Sequence, residues 1–310
     1  MLDVRDLSKR YGDEAVPAVH GVSFQLHRGE VLGLLGPNGA GKTTTIEILT
    51  GFRQRTGGTV SLLGLDPGIP AQLRDLRRRV GVVLQHTGHL RYLTVGETLA
   101  MHQAYHEHPR DVDEVSQLVG LTESMHKRVR QLSGGQQRRL DVGVALVGRP
   151  EVIFLDEPTT GFDPGARRRA WDVIDGLAQL GTSVVLTTHY MEEASRLADR
   201  LVVLGGGEVV GEGTPDTLAK RLRLATVIRA KVPFGIIHTD LPEAIRDGLV
   251  EPGKFELRAE EPATVVGALC VWAVERGIPL EDLDVRSPSL EESYLALTER
   301  ADDAAGQDER

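Results

Sequence analysis

The sequence predicts an α/β fold whose core is a largely parallel β-sheet with helices between the strands. Three observations support this prediction. Short apolar segments recur along the chain as far as Leu204, and helical spacing fills several of the intervals. One apolar segment runs into a glycine-rich loop followed by a helix, and another ends in two carboxylates. Buried parallel strands are continuous apolar runs, and ligands bind beyond their carboxyl ends.

The predicted strands are short, and an early antiparallel piece precedes the parallel ones. Their positions are Leu2 to Leu7, Gly21 to Leu26, Val31 to Leu35, Val80 to Leu84, Val152 to Leu155, Val184 to Thr187 and Leu201 to Leu204. The glycine run after Leu204 predicts a hairpin turn, and Thr214-Pro215 predicts the start of a helix. Between Gln85 and Leu132 the apolar residues take helical spacing, which predicts a helical subdomain at about residues 86–140.

A phosphate-binding loop lies between the strand that ends at Leu35 and a helix that continues through Thr44. It fits the pattern G-x-x-x-x-G-K-[ST], and its residues are Gly36, Pro37, Asn38, Gly39, Ala40, Gly41, Lys42 and Thr43. The glycines let backbone N–H groups turn toward phosphates at a helix N-terminus, whose dipole favours anions. We expect Lys42 to reach the β- and γ-phosphates of ATP and Thr43 to hold Mg²⁺.

The segment from Glu151 to Pro158 is an apolar strand that ends in Asp156 and Glu157. We expect Asp156 to bind Mg²⁺, directly or through water, and Glu157 to accept a proton from an attacking water. A strand that ends at a solvated acidic turn is the alternative for this pair. The phosphate loop earlier in the chain favours the catalytic interpretation.

The most informative motif is Leu132-Ser133-Gly134-Gly135-Gln136, which lies between the phosphate loop and the acidic strand end. With the three motifs in this order, residues 1 to about 220 resemble the ATP-binding subunit of ABC transporters, and this motif matches the family signature in full. The resemblance implies that the motif opens a helix whose N-terminus faces the γ-phosphate of an ATP held by the other subunit. A helix N-cap without a ligand is the alternative.

Four further positions match the family pattern, and their roles follow from the resemblance. Gln85 is the residue that links the metal site to the helical subdomain, and His189 is the switch histidine that contacts the γ-phosphate. Asp163 belongs to the loop that crosses the dimer interface, where Phe162 replaces the commoner leucine. Tyr11 is the aromatic residue that stacks on adenine, although a tyrosine beside a turn is also a frequent packing residue.

The resemblance also implies a mechanism and its cofactors, ATP and Mg²⁺. The implied metal ligands are Thr43, Gln85 and Asp156, and the implied catalytic residues are Lys42, Gln85, Glu157 and His189. A second copy of the chain completes each site with its own Ser133, Gly135 and Asp163. Binding of ATP would therefore close a homodimer, and hydrolysis would open it.

Composition restricts where such a chain could act. A formal net charge of -9 and a pI near 5.6 argue against a nucleic-acid partner, which requires a basic surface. Cys270 is the only cysteine, which excludes internal disulfides. The chain has neither an apolar run near the ~20 residues of a membrane span nor a signal-peptide core. We therefore expect a cytoplasmic location, peripheral on the inner face of the membrane, with a separate membrane permease.

The family motifs stop after about Leu224, and residues 225–300 predict a small α+β domain. Strands are expected at Thr226 to Val232, Phe255 to Ala259 and Leu283 to Val285, and helical stretches at Leu241 to Gly248 and Thr264 to Arg276. A last helix is expected after Ser287, with Ser289 and Glu292 spaced as a capping box. Residues 301–310 are polar and are predicted to be disordered.

This C-terminal part resembles the daunorubicin-type group of bacterial drug-resistance ABC ATPases, in which the appended domain is linked to dimerisation or regulation. That resemblance implies ATP-powered export of a small molecule, expected to be a drug or antibiotic. Export of polysaccharide, lipid or ions is the main alternative. A soluble ABC ATPase without a membrane partner is less favoured, because the chain has one cassette and no sustained heptads. We expect Leu90, Tyr92 and Leu93 to contact the permease; a place in the subdomain core is their alternative.

Overall fold

The computed structural model describes residues 1–12, 16–84, 88, 90–221, 226–259 and 261–286. These residues form two compact units, Met1–Pro215 and a second unit that begins at Asp216. The first unit contains a mainly parallel sheet with helices, and the second is a smaller assembly of strands and one long helix. The α/β class expected for the core and the α+β character expected after Leu224 are both confirmed.

The first unit begins with strands and alternates them with helices. Its strands are β1 (Leu2–Lys9), β2 (Val19–Leu26), β3 (Val31–Leu35), β4 (Gly57–Leu62), β5 (Val80–Val83), β6 (Val152–Asp156), β7 (Ser183–Thr188), β8 (Arg200–Gly205) and β9 (Glu208–Gly213). Its α-helices are α1 (Lys42–Leu49), α2 (Pro70–Arg79), α3 (Val95–Gln103), α4 (Val112–Leu118), α5 (Gly134–Val147), α6 (Pro164–Gln179) and α7 (Met191–Leu197). Helix α8 (Pro215–Arg221) spans the boundary between the units and begins at the predicted proline.

The central sheet has the strand order β5-β6-β7-β3-β8-β9, and the first five strands are parallel. Every residue of β3, β6 and β7 is buried, as expected for strands covered on both faces. In register, Leu35 pairs with Thr188, and Asp156 pairs with Thr187. The three strands therefore end side by side, and the loops that follow them meet at one edge of the sheet.

The early antiparallel piece is a separate three-stranded sheet with the order β2-β1-β4. Strand β4 was absent from the predicted strands. Its sequence starts with two glycines, and only Val60 and Leu62 in it are buried, so its apolar signal is weak. Pairing with β1 nevertheless completes the sheet, because β1 already places Leu2 and Val4 in the same core.

Helices α3, α4 and α5 occupy the part of the chain predicted to be a helical subdomain. Thr94 and Glu97 form a capping box at the start of α3, and Asp111 caps α4. The buried residues of these helices, among them Leu99, Val115 and Leu140, share one hydrophobic core with the adjoining face of the parallel sheet. The subdomain is thus held by apolar packing on the sheet that carries the strand ends.

The second unit is an antiparallel sheet with the order β11-β12-β10-β13, packed against helix α9. Its elements are β10 (Thr226–Lys231), β11 (Leu249–Glu251), β12 (Lys254–Ala259), α9 (Pro262–Glu275) and β13 (Glu281–Arg286). The helical stretch expected from Leu241 is only partly right. A 3-10 helix covers Glu243–Gly248, and the ring of Phe255 lies against Gly248, where the chain turns into β11. The observed helix ends at the expected residue, but it begins two residues later, after Pro242, and has 3-10 rather than α-helical geometry.

Several predictions concern positions that lie outside the described residues. They are Gln85, the last helix after Ser287 with its capping box, and the tail at residues 301–310. Among the helices in the described ranges, none has the length and apolar character needed to cross a membrane.

The two tryptophans lie in different units, Trp171 in α6 and Trp272 in α9, so fluorescence can follow each unit separately. Phe255 is fully buried in the core of the second unit. We expect Phe255→Ala to lower that unit's free energy of unfolding by about 3–5 kcal/mol, because it leaves a cavity. Urea unfolding of a Trp171→Phe background, monitored through Trp272, measures the change. Phe234→Ala is the matched control, since Phe234 is exposed and its loss should cost less than about 0.5 kcal/mol; equal losses would contradict the packing described.

Candidate nucleotide site

The glycine-rich loop between β3 and α1 has the backbone conformation that its sequence predicts. Gly39 and Gly41 have φ values of 86° and 92°, in the left-handed region that favours glycine. A Cβ at Gly36 would lie 2.6 Å from the carbonyl oxygen of Leu204, and one at Gly41 would lie 2.5 Å from that of Ala18. Both contacts exclude a side chain, so only glycine fits at these two positions of the loop before α1.

Lys42 lies at the first position of α1 with its side chain buried. Its ammonium group donates hydrogen bonds to the carbonyl oxygens of Gly36 at 2.8 Å and Pro37 at 3.0 Å. Burial lowers the pKa of Lys42, while the nearby charges of Glu157 and Asp156 act in the opposite direction. The ammonium lies 3.9 Å from a Glu157 oxygen, so the predicted phosphate-binding lysine and the predicted base share one site.

Asp156 ends β6 with a side chain that is only 1% exposed. One carboxylate oxygen, Oδ1, accepts hydrogen bonds from Thr187 at 2.5 Å and from Thr43 at 3.3 Å. The other oxygen, Oδ2, is buried without a hydrogen-bond partner among the described residues. A buried carboxylate oxygen left in this state is costly unless a cation completes it. The pairing of Thr43 with Asp156 therefore fits a small oxygen-coordinated metal ion such as Mg²⁺.

Glu157 follows directly and adopts a left-handed backbone conformation, with φ of 46°. A non-glycine residue in this region is strained and needs support from its surroundings. The strand β7 supplies it, because the Glu157 N–H donates to the Thr187 carbonyl oxygen at 3.2 Å and to its hydroxyl at 2.9 Å. The turn directs the carboxylate toward His189, whose Nδ1 lies 3.3 Å from Oε1, and toward Thr160, whose hydroxyl donates to Oε2.

The signature motif forms the start of helix α5. The Ser133 hydroxyl accepts a hydrogen bond from the Gln136 N–H at 3.3 Å, and the Gln136 side chain accepts one from the Ser133 N–H at 3.0 Å. Gly134 and Gly135 occupy the first turn, and only the methyl group of Ala166 lies near Gly135. The motif is thus a capping box, as its alternative interpretation required. It is also an accessible helix N-terminus with free approach to backbone amides.

A cleft of about 510 Å³ lies between the signature motif and Glu157 of the same chain. Its lining includes Ser133, Gly134, Gly135, Glu157 and Asp163. The Asp163 side chain caps α6 by accepting a hydrogen bond from the Ala166 N–H at 2.9 Å, and this contact lowers the pKa of Asp163. Two helix N-termini therefore face one polar depression, an arrangement that favours anions.

Tyr11 is half-buried near the first turn of α1, where its hydroxyl lies 3.2 Å from that of Thr44. Two cations lie over the ring, Lys9 at 5.3 Å and Arg53 at 5.0 Å from its centre. The ring that is expected to stack on adenine therefore lies beside two cationic side chains, which the sequence did not indicate. Cations in contact with an aromatic ring stabilise its orientation.

Sequence reasoning missed three side chains that organise this site. Thr187 binds both Asp156 and the Glu157 backbone, and Arg138 donates to four carbonyl oxygens at the strand ends. The buried carboxylate of Glu193 accepts hydrogen bonds from Thr159 at 2.7 Å and from Trp171 at 3.0 Å. The available signal for Arg138 was its spacing three residues before Asp141 on one face of α5, and none of the three belongs to a short motif.

Comparison with protein families gives two matches along the chain. Residues 19–160 match the ABC transporter family model, and residues 226–289 match the C-terminal domain of ABC transporter domain-containing proteins. The first match contains the phosphate loop, the signature motif and the Asp156-Glu157 pair. The second lies within the smaller unit.

Curated relatives match almost end to end. A daunorubicin resistance ATP-binding protein of Streptomyces coeruleorubidus is 37% identical over 96% of this chain and 95% of its own length. A Nod factor export ATP-binding protein of Burkholderia orbicola is 41% identical over 96% of this chain and 97% of its own. A linearmycin resistance ATP-binding protein of Bacillus subtilis is 35% identical, with 97% and 99% covered.

Solved structures with the same fold are ATP-binding cassettes. A dimeric cassette in a post-hydrolysis state, bound to ADP and phosphate, has a TM-score of 0.63 and 25% identity, covering 69% of this chain and 98% of its own. A second dimeric cassette structure has a TM-score of 0.62 and 26% identity, with the same coverage. Together with the site geometry, these matches identify the chain as a nucleotide-binding ATPase. It belongs to the family of ABC transporter ATP-binding subunits.

Proposed function

We propose that two copies of this chain bind two ATP molecules between them and hydrolyse them to drive a separate membrane permease, with a drug or antibiotic as the exported cargo. The observation that supports this most directly is the convergence of Lys42, Asp156, Glu157 and His189 at the ends of three parallel strands. The proposed phosphate-binding lysine, metal ligand and base therefore lie close together. The Lys42 ammonium is 3.9 Å and His189 Nδ1 is 3.3 Å from the Glu157 carboxylate.

The catalytic roles follow from this geometry. Phosphoryl transfer depends mainly on positioning and on stabilisation of negative charge. The loop amides and Lys42 hold the phosphates, while Glu157 accepts a proton from the water that attacks the γ-phosphorus. His189, beside Glu157, orients the carboxylate and donates toward the γ-phosphate oxygens. Hydrolysis then leaves ADP on the loop and releases phosphate.

The residues proposed to hold Mg²⁺ are Thr43, Asp156 and Gln85, and the first two already lie in contact. The ion would supply positive charge that stabilises the negative charge of the phosphates. The chain's own contribution is to hold the Asp156 carboxylate in place through the hydrogen bond from the Thr187 hydroxyl. Adenine is proposed to stack on Tyr11.

The second copy completes each site with its signature motif. Within one chain, Ser133, Gly135 and Asp163 line a cleft whose two helix N-termini have no phosphate loop opposite them. A γ-phosphate held by the partner's loop would satisfy both helix dipoles. The dimeric state of the cassettes that share this fold supports the same arrangement.

We expect Glu157→Gln to lose about 10²–10⁴-fold in ATP hydrolysis, the range for removal of a general base. Its ATP affinity should be retained, because the amide keeps the shape and the Thr160 contact. Steady-state phosphate release and titration with a fluorescent ATP analogue measure the two properties. Glu192→Gln, a carboxylate outside the site on α7, is the control. Turnover near the wild-type rate in the Glu157 variant would remove this residue from the role of base.

Mixed dimers test whether the signature acts across the interface. With Lys42→Ala in one copy and Ser133→Arg in the other, one complete site remains, and about half of the wild-type activity should be retained. With both changes in one copy and none in its partner, both sites are damaged and turnover should fall about 10²-fold or more. Two affinity tags isolate each mixed dimer. The opposite pattern would show that each chain completes its own site.

Membrane association is proposed to occur through an apolar groove on the first unit. The groove has a volume of about 250 Å³, and apolar residues from the sheet and from α1, α2 and α5 line it. Phe52, at its edge, is 60% exposed, and Arg77 and Arg78 also border it. We propose that this groove binds an apolar helix of the permease that carries an acidic residue. The apolar side of such a helix would fit the apolar lining, and its acidic residue would pair with Arg77 or Arg78.

The surface proposed from sequence has the exposure that such a contact requires. Leu90 is exposed and Tyr92 is 75% exposed, so a place in the subdomain core is wrong for both, while Leu93 is half-buried. Arg130 lies over the Tyr92 ring at 5.7 Å. Both surfaces are proposed to face the inner side of the cell membrane, where the chain is held peripherally.

We expect Phe52→Asp to reduce co-purification with the permease at least tenfold, because a carboxylate in the groove opposes apolar burial. Tyr92→Asp tests the second surface in the same way. Detergent-solubilised membranes from cells that express the chain with its chromosomally adjacent membrane protein provide the assay. Phe234→Asp, at a phenylalanine of the smaller unit that is 84% exposed, is the control. Unchanged recovery of both first-unit variants would exclude these surfaces.

The drug cargo is supported by the resistance proteins that match over almost the whole chain. Nod factor export is a second candidate, because those relatives have somewhat higher identity to the chain. Vesicles that contain the chain and its permease can be offered a fluorescent anthracycline or a lipid-linked oligosaccharide. ATP-dependent accumulation of the anthracycline supports the first candidate, and accumulation of the oligosaccharide alone would replace it with the second.

A further inference from the structure

The side chain of Arg138 connects helix α5, which begins at the signature motif, with the ends of strands β5 and β6. Its Nη2 donates to the Asp156 carbonyl oxygen at 2.6 Å and approaches that of Glu157 at 3.4 Å. Its Nε donates to the Pro158 carbonyl oxygen at 3.3 Å, and its Nη1 donates to that of Leu84 at the end of β5. One guanidinium therefore satisfies carbonyl groups from both strand ends and from the turn after Asp156.

This guanidinium is buried, and Asp141 on the same helix is the acidic side chain closest to it, at 3.6 Å. A buried charge is stable only when its donors are hydrogen-bonded. Since the bonds at Arg138 go mainly to backbone atoms of other elements, the helix cannot shift relative to those strands without losing them. The planar fork of arginine suits several carbonyls at once, whereas the point charge of lysine does not.

The attachment point lies close to both functional ends of the chain. Arg138 follows the Ser133 cap by little more than one turn of α5, so the signature N-terminus moves with it. On the other side, Arg138 holds the peptide of Glu157, the residue with strained backbone. A change in the Asp156-Glu157 backbone is therefore transmitted to the signature motif of the same chain.

We infer that Arg138 is a positioning residue that couples the two ATP sites of the dimer, an inference that rests on the function proposed above. In that dimer Glu157 acts on the ATP of its own chain, while Ser133 acts on the ATP of the partner. The two groups serve different sites, and Arg138 joins them within one chain. The state of one site thereby reaches the other through backbone hydrogen bonds, without direct contact between the nucleotides.

A mixed dimer with one working site tests whether Arg138 acts at both ends of this connection, and the Hill coefficient of the undamaged dimer tests whether it couples the two sites. One copy, called the signature copy, carries Lys42→Ala, and the other is called the loop copy. The only working site then combines the phosphate loop of the loop copy with the signature motif of the signature copy. Arg138→Gln is then placed in either copy. Coupling predicts that turnover falls about tenfold in both placements, the effect expected when a hydrogen bond to a charged group is lost. ATP affinity should change less than about twofold.

Each other outcome has a defined meaning. A loss only when Arg138→Gln is in the loop copy means that Arg138 supports its own Glu157, and a loss only in the signature copy means that it supports α5. Either result, or no loss at all, overturns the coupling. Ser133→Ala in each copy checks the proposed function separately. If it lowers turnover only from the loop copy, the two-subunit site itself is wrong.

Arg139 provides the matched control within the same helix. Its guanidinium donates to the carbonyl oxygens of Val119 at 3.3 Å and Gly120 at 2.9 Å, and none of its described contacts reaches the strand ends. Arg139→Gln also removes a guanidinium that binds backbone carbonyl oxygens, but it should reduce turnover less than Arg138→Gln in both placements. In the undamaged dimer, Arg138→Gln should also reduce the Hill coefficient for ATP toward one while Arg138→Lys restores part of it. A Hill coefficient equal to that of wild type in Arg138→Gln contradicts the coupling.

Discussion

The parallel pairing of β7 with β3 on one side and β6 on the other is the constraint on which the rest of the site depends. Its register aligns Leu35, Asp156 and Thr188 at the carboxyl ends of the three strands. The phosphate loop, Glu157 and His189 follow these residues directly and therefore lie together. Burial of all three strands stabilises this alignment on both faces of the sheet. A shift in register would separate Asp156 from the phosphate loop and would expose apolar strand residues as well.

The charged groups at this edge are maintained by specific hydrogen bonds in a poorly solvated environment. Asp156 depends on Thr187 and Thr43, Arg138 on backbone carbonyls, and Glu193 on Thr159 and Trp171. Removal of one partner from such a group leaves a buried polar atom unsatisfied, which costs more than the hydrogen bond contributes. The polar network and the apolar sheet therefore depend on each other, because the sheet excludes water and the network satisfies the groups that it buries.

Much of the fold could be predicted from sequence, since the strands of the parallel sheet are short continuous apolar runs and the phosphate loop carries recognisable glycines. The exceptions have weak local signals. Strand β4 has few buried side chains, and the segment before β11 forms a short 3-10 helix that begins after Pro242. Position within a sheet, more than local propensity, decided these elements. Gln85 lies outside the described residues, so its part in the metal site stays a prediction.

The sequence alone determined the chemistry that is possible here. A phosphate loop, a carboxylate pair and a signature motif in one order specify the nucleotide, and the near-complete match to ABC relatives places the chain in that family. Only the tertiary structure decided which groups meet. The Thr43–Asp156 contact joins residues 113 positions apart, and the Glu157–His189 contact joins residues 32 positions apart. Arg138 binds residues that are 18 to 54 positions away from it. No local pattern encodes such contacts, because they depend on strand order and register.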